Sequence, residues 1–433
     1  MAENLRSRAQ LRRAVFSSYF GSVIEYYDFL LYATASAVVF NKVFFSNLDP
    51  AIGTIASLGT FTTGYLARPI GGIVFGHFGD LLGRKRMLVI TMTMMGVAST
   101  LIGVLPTYAQ IGVWAPVLLI VLRVLQGIAV GGEWGGAVLM SAEHATSRRG
   151  LWAGFTNAGA PSGMVVSTLL LTLMGAVTTD AQFLAWGWRV PFLLSVVLLA
   201  IGLFVRLKVD ETPVFAASSR RAGTPLLEVL RRHPKNLLLA IGVGFGAFVA
   251  QGTLTTYVLA YAVHAGFSRQ TVLNAITVSS VGAVFAIVGY SALSDRVGRR
   301  PVVIAGAVAT GIVGFLLFPL IDSGSAVLLT LAVVLGQSVA HPAMYGPLAA
   351  LCTELFSTRT RYTGASLGYQ IAGLGAGIAP VVFAALAGTG TGVISAVIAA
   401  CCLVTVLCVL VLRESNRVDL ADPAEAGAVG AER

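Results

Sequence analysis

Twelve apolar windows of about 20 residues, separated by short polar turns, leave this chain few possible folds. They run over residues 15–40, 51–78, 87–105, 116–140, 150–175, 189–207, 236–263, 271–293, 302–320, 326–352, 363–387 and 391–412. A hydrocarbon core about 30 Å thick is crossed by about 20 helical residues, so each window is long enough to span it. Of the 433 residues, 56% are hydrophobic and only 11% charged, and the mean hydropathy is +0.83. That composition excludes a water-soluble globule with an ordinary charged surface. The basic N-terminus MAENLRSRAQLRRA leads into a window longer than a signal-peptide core and reads as a retained first helix.

The net charge of +10 would suit a nucleic-acid partner if it were gathered on one face, but it is spread over turns. With the N-terminus inside, 24 of the 29 Lys and Arg residues fall in cytoplasmic segments, and only Lys42, Arg189 and Arg269 fall outside. The positive-inside rule then predicts a multi-pass protein of the inner (cytoplasmic) cell membrane with both termini cytoplasmic. The four cysteines, Cys352, Cys401, Cys402 and Cys408, all lie in apolar windows and read as packing residues. No cofactor or metal is expected.

One turn is repeated. Residues 76–88 read GHFGDLLGRKRML and residues 294–303 read SDRVGRRPVV, placing Asp80, Gly83 and Arg84 in register with Asp295, Gly298 and Arg299. The spacing from Glu143 to Arg148 returns from Glu354 to Arg359. The two offsets, 215 and 211 residues, agree to within a loop, and a parallel repeat of six helices is a transporter signature. The reading is therefore two pseudo-symmetric six-helix bundles, 1–207 and 236–412, joined by a basic linker at 208–235 and followed by a polar, Ala-rich, disordered tail at 413–433.

The G-x-x-x-D-x-x-G-R-K turn resembles the cytoplasmic loop motif of the major facilitator superfamily. EYYDFLLY (25–32), LARPIGG (66–72), RVLQGIAVGGEWGGA (123–137), WGWRVPF (186–192), DETPVF (210–215) and RYTGASLGYQ (361–370) are similar to its metabolite:proton symporter branch, which includes carriers of shikimate, 2-oxoglutarate, citrate and proline/betaine. The resemblance implies alternating access around a cavity lined by spans 1, 4, 7 and 10. It also implies gating by the basic turns: Asp80, Arg84, Glu143 and Arg148 in the first bundle, Asp295, Arg299, Glu354 and Arg359 in the second.

Charges inside apolar windows carry the most information, because an Arg or Asp at mid-helix costs about 2.5 to 3.5 kcal/mol even on a lenient scale. Glu25 and Asp28, three residues apart, share a face of the first span near the midplane. Low dielectric disfavours the ionised acid, so one of them is expected to take up a coupling proton. Arg123 in R-x-x-Q-G on the fourth span resembles the superfamily's proton-coupling Arg and is expected to pair with Asp28 or Glu25 until a substrate carboxylate replaces the acid. Glu133, lower on that span, is either a substrate contact or half of a structural ion pair. Arg68, before Pro69 on the second span, is either a pairing residue between the bundles, which is favoured, or a substrate contact. His341, before Pro342 on the tenth span, offers an imidazole for proton coupling or substrate contact. Tyr26, Gln251, Tyr257 and Tyr345 complete the substrate candidates on the spans expected to line the cavity.

The leading expectation is proton-coupled symport of a small organic acid or zwitterion, that is a shikimate-like hydroxy acid, a dicarboxylate or a betaine, by a monomer in the bilayer with no nucleic acid. Antiport of a drug or metabolite and a transporter-like nutrient sensor are the alternatives. GAPSG (159–163) only partly resembles the antiporter motif, and a sensor would be expected to carry a long soluble tail where this sequence has residues 413–433. An enzyme is not expected: the chain has no HExxH, no GxSxG and no P-loop lysine. The glycine strings GVGFG (242–246) and GLGAG (373–377) lack the strand-turn-helix setting of a dinucleotide loop and read as helix-packing seams.

Overall fold

The computed structural model describes residues 2–82, 84–143, 148–207, 225–356 and 360–416. The linker at 208–224, Arg359 and residues 417–433 lie outside the described residues, as do the side chains of Asp80, Arg84 and Glu143. Among the described residues twelve long helices stand out: α1 (Ala2–Val38), α2 (Pro50–Leu82), α3 (Arg84–Val104), α4 (Trp114–Glu143) and α5 (Arg149–Val177); then α6 (Asp180–Leu207), α7 (Pro234–His264), α8 (Arg269–Val297), α9 (Arg299–Asp322), α10 (Ala326–Glu354), α11 (Arg361–Ala385) and α12 (Thr391–Val411). From α3 onward, ten are long and apolar enough to cross a membrane. The two before them carry Glu25, Asp28 and Arg68 in mid-helix. In a bilayer every backbone polar group must be satisfied within the protein, which is why helices do the crossing.

Two boundaries differ from the sequence reading. The basic N-terminal stretch is helical from Ala2 and continuous with the first span. The sixth helix begins nine residues before the window edge at 189, and residues Phe183–Gly187 form a widened π turn within it. The apolar count missed this turn because Gly187, Trp188 and Arg189 break the run of aliphatic residues. Arg189 Nη1 in turn donates to the carbonyls of Gly103 (3.0 Å) and Leu105 (2.7 Å), satisfying the free C-terminal end of α3.

Small residues set how closely the helices approach. On α2 and α4, a Cβ at Gly71, Gly127 or Gly131 would run into the backbone carbonyl of Ile128, Gly64 or Arg68 respectively. Gly159 and Gly163 of the GAPSG segment lie against Ser22 and the Tyr26–Tyr27 backbone of α1, so that segment is a packing surface. GVGFG does the same for α7: Gly242 and Gly246 meet Cys408 and Thr405 of α12, and Gly244 meets Ala372 of α11. All four cysteines are free thiols in the packed spans.

Replacing Gly127 with Val forces a methyl-bearing side chain into the Gly64 carbonyl. The expected loss is about 1–3 kcal/mol, read as a lower melting temperature of the detergent-purified protein, whereas Val at Gly59, where a Cβ would meet open space, should change it little.

Candidate functional site

A cavity of about 20 Å³ lies between the bundles, lined by Leu30 of α1, Ala160, Pro161 and Met164 of α5, Gln251, Leu254 and Thr255 of α7, Ala283 and Ile287 of α8, and Gln337, His341 and Tyr345 of α10. That is room for about one water. Widened π turns border it on both sides, at Thr253–Tyr257 of α7 and Leu335–Ala340 of α10. The second has a local cause: Pro342 has no N–H to continue the α-helical ladder. Such turns concentrate at functional positions.

The polar lining is neutral. His341 Nε2 meets the carbonyl of Ala247 at 3.1 Å; a carbonyl only accepts, so Nε2 carries the hydrogen and Nδ1 of the neutral ring is an acceptor. The ring stacks on Tyr345 at 5.3 Å. Gln337 is fully engaged, accepting from Ser279 Oγ (2.9 Å) and donating to Ser280 Oγ (2.8 Å). Gln251 differs, because its Oε1 is buried with no hydrogen-bond partner among the described residues. Tyr257 is off the lining. It packs among Tyr261, Phe318 and Phe383.

Beside the cavity three hydroxyls meet: Tyr345 with Tyr369 at 2.7 Å, Tyr26 with Tyr369 at 2.9 Å, and Tyr26 with Tyr345 at 3.2 Å. They come from α1, α10 and α11 and join the bundles. Trp134 of α4 stacks flat on Tyr369, with ring centres 3.5 Å apart. Asn157 Nδ2 of α5 donates to the Tyr345 carbonyl at 2.8 Å.

The intramembrane charges are arranged differently from the expected Arg123–acid pair. Arg123 lies over the rings of Phe29 (3.7 Å), Tyr32 (4.2 Å) and Phe61 (4.9 Å), and its Nη1 donates to Gln126 Oε1 at 3.1 Å. Gln126 Nε2 donates to Ser99 Oγ at 2.8 Å, and Ser99 lies beside Asp28. Asp28 itself accepts from Ser195 Oγ of α6. The arginine and the acid are thus separated by an amide and a hydroxyl and are not in direct contact. Arg68 stacks over Phe29 and Tyr65, each at 4.1 Å, so one phenyl ring serves two guanidinium groups. Glu133 is not on the cavity lining: it forms a buried ion pair with Arg206, a residue that sequence reading placed among the loop cations. Glu25 is buried, and the charges that face it are Glu133, Arg68 and Arg206.

The basic turns bring a second cluster together. Asp295 accepts the N–H groups of Gly150 and Leu151, both at 2.9 Å, at the start of α5. Arg299 bridges Asp295 (2.9 Å) and Glu354 (3.1 Å). Gly298, at φ 107°, takes the left-handed turn that joins α8 to α9. The chain end takes part as well. Glu414 accepts the N–H groups of Arg299 (2.7 Å) and Arg300 (3.1 Å), and Ser415 Oγ donates to Glu354 at 2.5 Å. Residues 414–416 are therefore seated against the turn, contrary to the expected disorder. Arg148 is exposed and precedes α5 with φ 52°.

The sequence model of the Major Facilitator Superfamily matches residues 19–292 and 271–431. The chain belongs to this superfamily. It is 39% identical over 429 residues to the shikimate transporter of Escherichia coli (strain K12), covering 96% of this chain and 97% of the relative. It is 34% identical over 394 residues to the proline/betaine transporter of Salmonella typhimurium, covering 87% and 77%. The fold is similar to that of the major facilitator proton:xylose symporter XylE bound to 6-bromo-6-deoxy-D-glucose, with a TM-score of 0.76 at 16% identity, over 93% of this chain and 95% of that one. Among the members of this site, Phe29, Tyr65 and Arg206 were missed as site residues by sequence reading, and Tyr369 was read as interhelical glue or cavity lining and ranked behind Gln251 and Tyr257. Only the aromatic run EYYDF hinted at the stacking.

Breaking the Glu133–Arg206 pair with Glu133→Gln leaves an uncompensated buried cation and should cost about 3–5 kcal/mol. The double replacement Glu133→Leu with Arg206→Met should recover most of the melting temperature; a double variant as unstable as the single one would refute a purely structural pair.

Proposed function

We propose that this protein is a proton-coupled symporter of a small hydroxylated organic acid, with shikimate as the reference substrate. It works by alternating access in a cytoplasmic membrane, with the basic turns and both termini on the cytoplasmic side. Residues 1–207 and 236–412 are the moving bundles and 208–235 the linker. The relatives named above support the substrate class. The observation that carries proton coupling is on α1: Glu25 (3% exposed) and Asp28 (0%) are both buried, and each has an oxygen with no hydrogen-bond partner among the described residues, Glu25 Oε1 and Asp28 Oδ2. An acid in that setting is stable when it carries a proton or faces a cation.

The cavity chemistry favours a hydroxylated ligand over a betaine. Gln251 Oε1 and His341 Nδ1 are acceptors that call for O–H or N–H donors. Tyr345 is the one Phe, Tyr or Trp side chain in the lining, whereas a quaternary ammonium is bound by a cage of several. Bundle contacts lie on both sides of the cavity. On the basic side Tyr362 Oη donates to the Gly132 carbonyl (3.1 Å) and Asp295 holds α5; on the other, Thr62 Oγ1 donates to the Gly377 carbonyl (2.6 Å) and Thr277 Oγ1 to Thr168 Oγ1 (2.7 Å). These fit an occluded intermediate. Binding of substrate and proton must favour each other for symport, and the Arg123–Gln126–Ser99–Asp28 chain gives Arg123 a coupling role without substrate contact.

In proteoliposomes, Asp28→Asn and Glu25→Gln are tested for uphill shikimate accumulation driven by an inward proton gradient. At least one is expected to abolish accumulation while retaining counterflow exchange. Accumulation by both single variants and the double variant, with unchanged pH dependence, would overturn the assignment. A thermal-shift screen in which glycine betaine protects and shikimate does not would overturn the substrate class.

Asp295→Asn weakens the hold on the α5 N-terminus. It should slow transport while leaving shikimate affinity in detergent within about twofold, since a charge at a helix N-terminus is worth about 0.3–1 kcal/mol. Parallel loss of binding would remove Asp295 from the gate.

A further inference from the structure

We propose that Arg68, with the hydroxyls of Tyr26, Tyr345 and Tyr369, forms the subsite that takes the carboxylate of the transported acid; this rests on the organic-acid reading above. Arg68 is 1% exposed. Its Nε and Nη2, the two donors along one edge of the guanidinium, are buried with no hydrogen-bond partner among the described residues. Phe29 and Tyr65 cover the flat faces of the cation at 4.1 Å. Rings satisfy the faces and leave the in-plane donors unmet. A carboxylate is the group whose two oxygens match such an edge.

Arg68 lies behind the cavity lining rather than in it, and the tyrosine cluster connects it to the cavity. Tyr345 lines the cavity, and both Tyr26 and Tyr345 lie within the electrostatic reach of Arg68. Arg68 Nη1 lies 3.8 Å from where a Cβ of Gly373 would sit, one helical turn beyond Tyr369, and the rim of Phe248 lies 3.8 Å from the same point. The Phe248 ring is 4.7 Å from that of Tyr369 and 6.2 Å from that of Tyr345. The three tyrosine hydroxyls satisfy one another, and each can turn its hydrogen toward an arriving anion, which only accepts. At the other end Gln251 Oε1 and His341 Nδ1 accept. The site is therefore polarised, with donors and a cation at one end and acceptors at the other, as a hydroxylated carboxylic acid requires.

Arg123 has the same two donors unmet, but Phe29, Tyr32 and Phe61 surround it, the Tyr32 hydroxyl is spent on Thr60 (2.7 Å), and the groups it faces are Tyr32, Tyr65 and Arg68 rather than the Tyr26, Tyr345 and Tyr369 cluster. Arg68 also faces Glu25. A substrate carboxylate at Arg68 would share that cation with Glu25, so the subsite lies where substrate charge and the acid's charge compete.

The test is equilibrium binding of shikimate and of its uncharged methyl ester to the purified full-length protein, by titration calorimetry. Arg68→Gln should weaken shikimate binding roughly 10- to 100-fold, the loss expected when a charged hydrogen-bond donor is removed, while leaving the ester within about twofold. Tyr369→Phe, which keeps the ring on Trp134, should weaken shikimate alone by up to about tenfold. This guards against misfolding of the Arg68 variant, and melting temperatures monitor both. Gln251→Leu should weaken acid and ester alike. Equal loss of acid and ester in Arg68→Gln, or acid-selective loss in Arg123→Gln with none in Arg68→Gln, overturns the subsite and leaves the proposed function standing. No binding of shikimate by the unaltered protein overturns the proposed substrate and the subsite with it.

Discussion

Phe29 lies between two guanidinium groups that, among the described residues, have no carboxylate in direct contact, and the geometry of the first bundle follows from that arrangement. A desolvated cation over an aromatic ring gains about 2 kcal/mol or more, which offsets part of the cost of an intramembrane arginine. Both cations must reach one ring of α1, so α2 and α4 have to lie almost backbone to backbone. The glycines allow this: Gly127 and Gly131 face the carbonyls of Gly64 and Arg68, and the Arg123 side chain occupies the space a side chain at Gly64 would need. The close approach and the buried charges are one constraint seen from two sides.

The architecture was legible in the sequence because the bilayer imposes it. Apolar length, basic turns and the repeated Asp-x-x-Gly-Arg turn each report a requirement that acts on a single helix or loop. What was not legible concerns partners. Glu25 and Asp28 were rightly placed on one helix, but Asp28 and Phe29 are consecutive, and consecutive helical residues point about 100° apart. The face turned to Arg123 is the one bearing Phe29, which leaves Asp28 to Ser195 of α6. Likewise Arg206 sits at the end of a window, where a one-dimensional count cannot tell a solvated cation from one folded back onto Glu133. Tyr369 was visible as a polar residue of the eleventh span, but a lone hydroxyl does not say which hydroxyls of α1 and α10 it meets.

The contacts between bundles are of a kind that suits repeated making and breaking. Apart from Asp295, whose carboxylate accepts two N–H groups of α5, they are single hydrogen bonds from hydroxyls and amides, each worth about 0.5–1.5 kcal/mol net. The strong buried pair, Glu133 with Arg206, lies within the first bundle, and Arg299 with Glu354 within the second. Rigid bodies joined by weak, replaceable bonds can exchange one set of partners for another at little cost.

The same principle reaches the end of the chain. Because Glu414 holds the first two N–H groups of α9 and Ser415 is tied to Glu354, the first residues after α12 are a mechanical extension of the α8–α9 turn. Cutting or fusing the chain before Glu414 would therefore strip the α9 N-terminus of its carboxylate acceptor and Glu354 of a hydroxyl donor.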